Sequence, residues 1–319
     1  MSNIINNIKN LELETIENIK NSKAYNTTRA YKSDFRDFAI FCKKLNKNPI
    51  NPNVKDISLY LTSLSKEKLK FSTIKRRLVS LVIANRLKGH HIDTKNPIIN
   101  ENLKSIKRKI GALQIGKKPL VLEDLKKIII FLGDNNNISK NKYYRDKALI
   151  LIGFAGGFRR SELVNLDYQD IEFANEGVKI IIKRSKTDQY GEGFVKAIPY
   201  FSSKIFCPVF ALKDWLNNSY IKNKSIFRKI SKSGKVLQNR LTDQSVALIL
   251  KNHMNFANLN PINYSGHSLR SGFATATANS GADERSIMMM TGHRSATMVR
   301  RYIKEANLFK NNALNKIKL

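Results

Sequence analysis

The segment GGFRRSELVNLDYQDIEFANEGVKIIIKRSKTDQYGEGFVKAIPY, residues 156–200, changes texture part-way along. Its first third is helical punctuation: Gly156 and Gly157 stop one helix, and Ser161 is placed to cap the next. Beyond it, DIEF, VKIIIK and FVKAIPY are short, rich in β-formers and separated by Gly, Asn and Asp, which predicts a small antiparallel sheet. Arg159 stands at the corner between the two textures, and Glu162, three residues on, can reach back to hold it. Those residues alone are equally the signature of a capping box beside a surface arginine. Lys186 falls near the tip of the hairpin joining two strands, where a lone lysine is usually solvated.

Upstream the chain is helical. From Thr27 onward Tyr31, Phe35, Phe38, Cys42 and Leu45 recur at helical spacing, with Arg29, Lys32, Arg36 and Lys43 on the other faces. Pro49 and Pro52 break the chain, and Asn53 opens a second helix carrying Ile57, Leu61 and Leu64. Ser72 reads as the cap of a third helix, with Ile74, Leu78, Leu81 and Val82 inward and Lys75, Arg76 and Arg77 in its first turns. A fourth helix runs from about Asn100 to Ile110, and ALQIGKKP, residues 112–119, reads as a linker. The expectation is therefore a helical domain over 1–115, its first 24 residues Asn-rich and frayed, and a second domain over 116–319. That second domain opens with helices at Leu122–Leu132 and Tyr143–Ala155, carries the small sheet, and is helical from Pro208 to its end. Overall the chain reads as mainly α with a small antiparallel β-sheet in the second domain.

Two further stretches carry chemistry. In YSGHSLRSGFATATANSGADERSIMMMTGH, His267 and Arg270 lie three apart on one helical face, a poor metal site but a good phosphate grip beside a proton carrier. A capping histidine and a salt-bridged arginine explain the same pattern. Met288 to Met290 read as core packing. In TGHRSATMVRRYI, His293 and Tyr302 can address one site only if His293 sits in the loop and Tyr302 on the helix that follows, which Gly292 and Ser295 permit. Tyr302 also shares its face with Met298, Val299 and Ala306, so a half-buried core tyrosine is an alternative.

The 57 Lys and Arg outnumber 25 Asp and Glu, a formal charge of +32 spread along the chain. Residues 1–117 hold 24 basic and 9 acidic side chains and the remainder 33 and 16, so both halves are expected to meet a polyanion, nucleic acid before membrane. Codon bias toward Lys, Asn and Ile is a rival source of that charge. Cys42 and Cys207 form no framework and no CxxC pair, which fits a reducing compartment without structural zinc. With no apolar signal core at the start and no run long enough to span a bilayer, a cytoplasmic, DNA-associated location is expected.

Taken together, GFRRSEL, RSKT before a strand, HSLR, and GH followed nine residues on by a tyrosine resemble the tyrosine site-specific recombinases of the phage integrase family, most of all the Cre-like and phage-type integrases. The resemblance covers most of residues 25–319. It implies a helical, SAM-like core-binding domain followed by an α+β catalytic domain, the two closing around duplex DNA. It also implies that Tyr302 attacks the scissile phosphodiester to give a 3′-phosphotyrosine, with no metal and no cofactor. Arg159 and Arg270 would flank the phosphate, Lys186 would protonate the leaving 5′-oxygen, His267 would help take the tyrosine proton, His293 would donate to a phosphate oxygen, and Glu162 would orient Arg159. Arg29, Lys32, Arg36, Lys75, Arg76 and Arg77 are the expected DNA contacts of the first domain, and Lys229, Lys232, Arg240 and Gln244 those of the second.

By the same likeness the terminal segment, residues 307–319, with Leu308, Phe309, Ala313, Leu314 and Ile317 at helical spacing, docks into a neighbouring protomer. The result is a homotetramer on two inverted-repeat sites, working through a Holliday junction. An Xer-type dimer resolvase, a non-catalytic DNA-binding regulator derived from a recombinase and a type IB topoisomerase are the alternatives. Occupation of all six catalytic positions by competent residue types favours an enzyme.

Overall fold

The computed structural model describes residues 11, 14, 15, 17, 18, 23–111, 116–135, 137–183, 185, 188, 192–306 and 313–317. The chain divides into two compact units, Met1–Ile115 and Gly116–Leu319.

The first unit packs helices α1 (Tyr25–Lys44), α2 (Val54–Lys66), α3 (Phe71–Arg86) and α4 (Pro97–Ile110) around one core. Phe38, Ile57, Tyr60, Leu61, Leu64, Ile74 and Leu81 are almost fully buried in it, as the 3.6-residue spacing requires. The Asn53 side chain accepts from the Asp56 N–H at 2.8 Å and so caps α2. Three boundaries differ from expectation. α1 begins at Tyr25, and Leu45 is exposed at its C-cap. α3 starts at Phe71 with Lys70 in the capping position, so Ser72 lies inside the helix and caps nothing. α4 starts at Pro97, where proline gives up an N–H that no helical partner would take, and Asn96 supplies the cap.

The second unit opens with α5 (Leu122–Asp134) and α6 (Lys140–Ala155), whose last eight residues are all buried. A five-residue helix, α7 (Arg160–Val164), follows the Gly156–Gly157 turn. Strands β1 (Ile171–Phe173), β2 (Gly177–Ile182) and β3 (Phe194–Pro199) form an antiparallel sheet in that order, with Ile180 opposite Ile171 on one side and Lys196 on the other. On β2 the side chains alternate, Val178, Ile180 and Ile182 inward and Lys179 and Ile181 outward, which sets the register.

Helix α8 (Pro208–Ser219) lies along α6, and its buried Trp215 donates to the Ile226 carbonyl at 2.8 Å. The region after Pro208 is not wholly helical as expected: β4 (Arg228–Ile230) and β5 (Val236–Arg240) form a two-stranded hairpin. Helices α9 (Asp243–Phe256), α10 (Ser268–Asn279), α11 (Glu284–Thr291) and α12 (Ala296–Ala306) complete the unit. Ala274, Ala278, Ile287, Val299 and Tyr302 make a satellite cluster apart from the main core, and α12 rests on it. Met290 and Met288 are partly buried, packed against the main core and the satellite cluster, whereas Met289 is 70% exposed, so only two of the three methionines serve as packing. Among the described residues no helix is long and apolar enough to cross a membrane.

Candidate active site

Three turns and two helices of the second unit bring the predicted residues together. At the end of α6, Gly156 and Gly157 reverse the chain, Gly157 at φ +54° where a Cβ would meet Phe273 at 2.9 Å, and this puts Arg159 at the N-cap of α7. Glu162, fully buried, accepts from the Arg159 backbone N–H at 2.9 Å and from its Nη1 at 2.6 Å. One carboxylate thus caps the helix and orients the guanidinium. Arg159 Nη2 donates to the Gly292 carbonyl at 3.4 Å, which links this corner to the loop after α11.

Arg270 is buried on α10. It donates from Nη1 to the Gly157 carbonyl at 2.9 Å, and its Nη2 lies 3.0 Å from His293 Nε2. Burial lowers the guanidinium to about 10, Arg159 pushing the same way against Glu162 and Tyr302. Gly292, left-handed at φ +62°, ends α11, and His293 begins the loop. The buried Thr291 hydroxyl donates to the Ile287 carbonyl at 2.6 Å and so has only lone pairs for His293 Nδ1, 2.7 Å away. Nδ1 therefore carries the proton and Nε2 accepts from Arg270. Burial, foremost, with Arg270, Arg159, His267 and Lys196 beyond it, lowers His293 to about 4, so the free protein holds it neutral.

Tyr302, on α12, packs its ring into the satellite cluster while its hydroxyl lies 3.2 Å from His267 Nε2. His267 occupies the N-cap of α10, so the histidine before the helix and the arginine one turn in address the same space. Burial raises the Tyr302 phenol above its usual value despite Arg270 and Arg301, and Glu305 adds to the rise. Without DNA the phenol is protonated.

Lys186 lies outside the described residues. Sequence reasoning missed another lysine: Lys196 on β3, 1% exposed, donates from Nζ to the Gly156 carbonyl at 2.6 Å and to the Met290 carbonyl. The alternation of FVKAIP, which sets Lys196 on the inward face with Ile198, was the available signal. Thr291 gave no sequence signal at all. The assembled site holds the guanidiniums of Arg159 and Arg270 against one buried carboxylate, an excess of positive charge built for an anion. Two guanidiniums beside imidazole N–H groups suit a phosphate; among the described residues no group of three or more His, Cys, Asp or Glu is gathered.

The phage integrase family matches residues 118–308 of the chain, all of them in the second unit. The chain belongs to the phage integrase family. As a member of it, the protein is a tyrosine site-specific recombinase, an enzyme of DNA recombination. It is 39% identical over 316 residues to an integrase/recombinase XerD homolog of Selenomonas ruminantium, covering 98% of this chain and 91% of that one. It is 27% identical to the tyrosine recombinase XerC of Oceanobacillus iheyensis, over 91% and 88% of the two chains. Among solved structures the recombinase resembles XerH bound to a palindromic difH substrate, with a TM-score of 0.65 at 22% identity over 89% of this chain and 80% of that one. It also resembles the Tn1549 transposon integrase with transposon right-end DNA, with a TM-score of 0.62 at 18% identity over 91% and 94%. These structural likenesses carry the fold.

The surface residues expected to meet DNA fall into two groups. Arg29, Lys32, Arg36, Lys75, Arg76, Lys229, Lys232 and Gln244 are exposed. Arg76 pairs with Asp34, Arg77 with Asp37, and Arg240 donates to the Val164 carbonyl at 2.7 Å and pairs with Asp167. Those three guanidiniums brace their own unit. Of the terminal segment, Ala313–Lys316 form a 3₁₀ turn with Leu314 and Ile317 exposed; Leu308 and Phe309 lie outside the described residues.

Proposed function

We propose that the recombinase cleaves DNA through Tyr302 in the following way. The phenol oxygen attacks the scissile phosphorus; a Tyr302 O–P bond forms as the P–O5′ bond breaks, leaving a 3′-phosphotyrosine and a 5′-hydroxyl. The observation that carries this is the Tyr302 hydroxyl at 3.2 Å from His267, in the same chain as two guanidiniums that meet at one loop. His267 takes the phenol proton and Lys186 supplies one to the 5′-oxygen. Arg159 and Arg270 face the non-bridging oxygens, where fixed positive charge counts most in the transition state. The arriving phosphate opposes the cations that, after burial, depress His293, and with a proton on Nε2 the imidazole donates to the phosphate. The ester keeps the bond energy, so rejoining needs no ATP.

Duplex DNA is the partner, held by exposed basic and amide side chains of both units, with Arg29, Lys32, Arg36 and Lys75 in the first and Lys229, Lys232 and Gln244 in the second. A tetramer on two inverted-repeat sites forms when residues 307–319 seat on a neighbouring copy. An apolar groove of about 660 Å³ lined by Phe154, Phe201, Phe273, Ala276 and Met290 is the surface we assign to receive them. Near full-length similarity to Xer-named relatives favours resolution of chromosome or plasmid dimers as the second reading beside integration.

The test is incubation with nicked suicide substrates from the flanking genome. Wild type forms a covalent protein–DNA adduct; Tyr302→Phe binds the same DNA with unchanged affinity and forms none. An adduct that survives the substitution moves the nucleophile elsewhere. Deleting residues 307–319 spares single-site binding and abolishes recombination, and recombination at full yield refutes the docking.

A further inference from the structure

A buried lysine is costly unless it is bound, because its charge is stripped of water. Lys196 and Arg270, each 1% exposed, are the most deeply buried cations among the described residues of this unit, and Lys196 makes no ion pair within 4 Å among them; its Nζ is spent on two backbone carbonyls. Both carbonyls close helices. Gly156 is the C-cap of α6 and Met290 lies in the last turn of α11, so each presents an oxygen that the helix itself leaves without an N–H, at the negative end of the helix dipole. One ammonium therefore joins two helix C-termini from different parts of the chain.

What leaves those two ends is the catalytic apparatus. Past Gly156 come Gly157, whose carbonyl receives Arg270, and Arg159; past Met290 come Gly292, whose carbonyl receives Arg159, and His293, which faces Arg270. The contacts close a ring: Lys196 ties the two turns from behind, and Arg159 and Arg270 tie them in front. Phe158 and Phe194 wrap the ammonium, their ring centres 4.7 and 5.3 Å from Nζ, and Phe194 also packs on Gly292, where a Cβ would come within 2.9 Å of its ring. The strand therefore contacts the His293 turn twice.

We infer that Lys196 is a positioning residue for strand cleavage: its two hydrogen bonds fix the distance between the turn that presents Arg159 and the turn that presents His293. The inference rests on the phosphate-binding reading of those two residues. It gains support from the titration of the group. Burial lowers the ammonium to about 7; Glu162 pulls it back up, and Arg270 and Arg159 push it down. A lysine kept at that cost in an apolar wrap, where a methionine of similar reach would pack, is kept for its hydrogen bonds.

The experiment uses the full chain with Lys196→Met, and Lys196→Gln as a second variant that retains a shorter, neutral N–H donor group. In the DNA-free protein, amide hydrogen exchange across residues 291–295 should rise at least tenfold in the methionine variant and by an intermediate factor in the glutamine variant. Single-turnover cleavage of a suicide substrate should fall roughly 10- to 100-fold, while the DNA concentration for half-saturation changes less than threefold. In a His293→Ala background the same substitution should cost at least threefold less than it does in the wild type, because one of the two residues it positions is gone. Exchange at the wild-type rate in folded variants overturns the inference, as does a cleavage loss that multiplies fully with that of His293→Ala. Should the wild-type chain form no adduct, the reading of Tyr302 fails, and the exchange measurement still decides the role of Lys196. Should the methionine variant not fold, the glutamine variant decides.

Discussion

Replacing Glu162 by Gln tests how the phosphate pocket is held open. The carboxylate accepts two hydrogen bonds, from the Arg159 backbone N–H at 2.9 Å and from its Nη1 at 2.6 Å. The amide keeps one acceptor and turns a donor toward the other N–H, so one charge-assisted bond becomes a clash of donors inside a buried space. A hydrogen bond to a charged group contributes about 1.5–3 kcal/mol, and a partner left unpaired costs a similar amount. If that loss falls on the placement of Arg159 in the transition state, about 1.4 kcal/mol per decade converts it to a roughly 10- to 100-fold slower cleavage. If part of it falls on the α7 cap, the melting midpoint of the catalytic unit drops by about 2–4 °C per kcal/mol. Lys196 also loses the carboxylate that raises it, so its ammonium becomes still easier to deprotonate. The assay is single-turnover cleavage at saturating DNA beside thermal melting. Faster cleavage or tighter DNA binding would mean that Glu162 sequesters Arg159 from the phosphate, and the orienting role would be refuted.

Thr291→Val removes the acceptor that holds the proton on His293 Nδ1; nitrogen-15 NMR of the imidazole should show the tautomer mixing, and Thr291→Ser should restore it. A valine variant with the wild-type tautomer refutes that assignment. The His293 imidazole sits at about 4 when folded and near 6.5 when free, so between those values the unfolded chain binds the extra proton and stability rises with pH. Urea midpoints measured from pH 4 to 6.5 should therefore climb, and His293→Gln should flatten that part of the curve. Gly272→Ala should destabilise the catalytic unit by about 1–3 kcal/mol or more, since its Cβ would stand 2.2 Å from the Leu120 carbonyl and 2.9 Å from Phe154. An unchanged melting point would show that α10 can shift without cost.

The helices of the first unit were legible because each buries one stripe: Phe38 and Cys42, Ile57 and Leu61, Ile74 and Leu78 all lie where the periodicity puts them. The motif residues Arg159, His267, Arg270, His293 and Tyr302 lie far apart in sequence, and only the resemblance tied them to one site before the geometry did. The β4–β5 hairpin escaped because its strands are half polar, Arg228 and Lys229 in one and Gln238 to Arg240 in the other, so neither alternation nor length announced it. Lys196 escaped for the opposite reason. A lysine on the inward face of a strand contradicts the ordinary rule, and the compensation, two carbonyls from distant helix ends, cannot be seen along the chain. The cap of α3 misled because Ser72 is a good capping residue two positions too late for a helix that starts on the apolar Phe71.

The satellite cluster under α12 has a mechanical consequence. From that helix mainly Val299 and Tyr302 are buried, about 3–6 kcal/mol of apolar contact at most, against the 5–15 kcal/mol that holds a whole domain folded. The segment that bears the nucleophile can peel away while the rest of the unit stays intact. The phenol is stowed rather than locked, and the tool that cuts is fastened more lightly than the hand that grips.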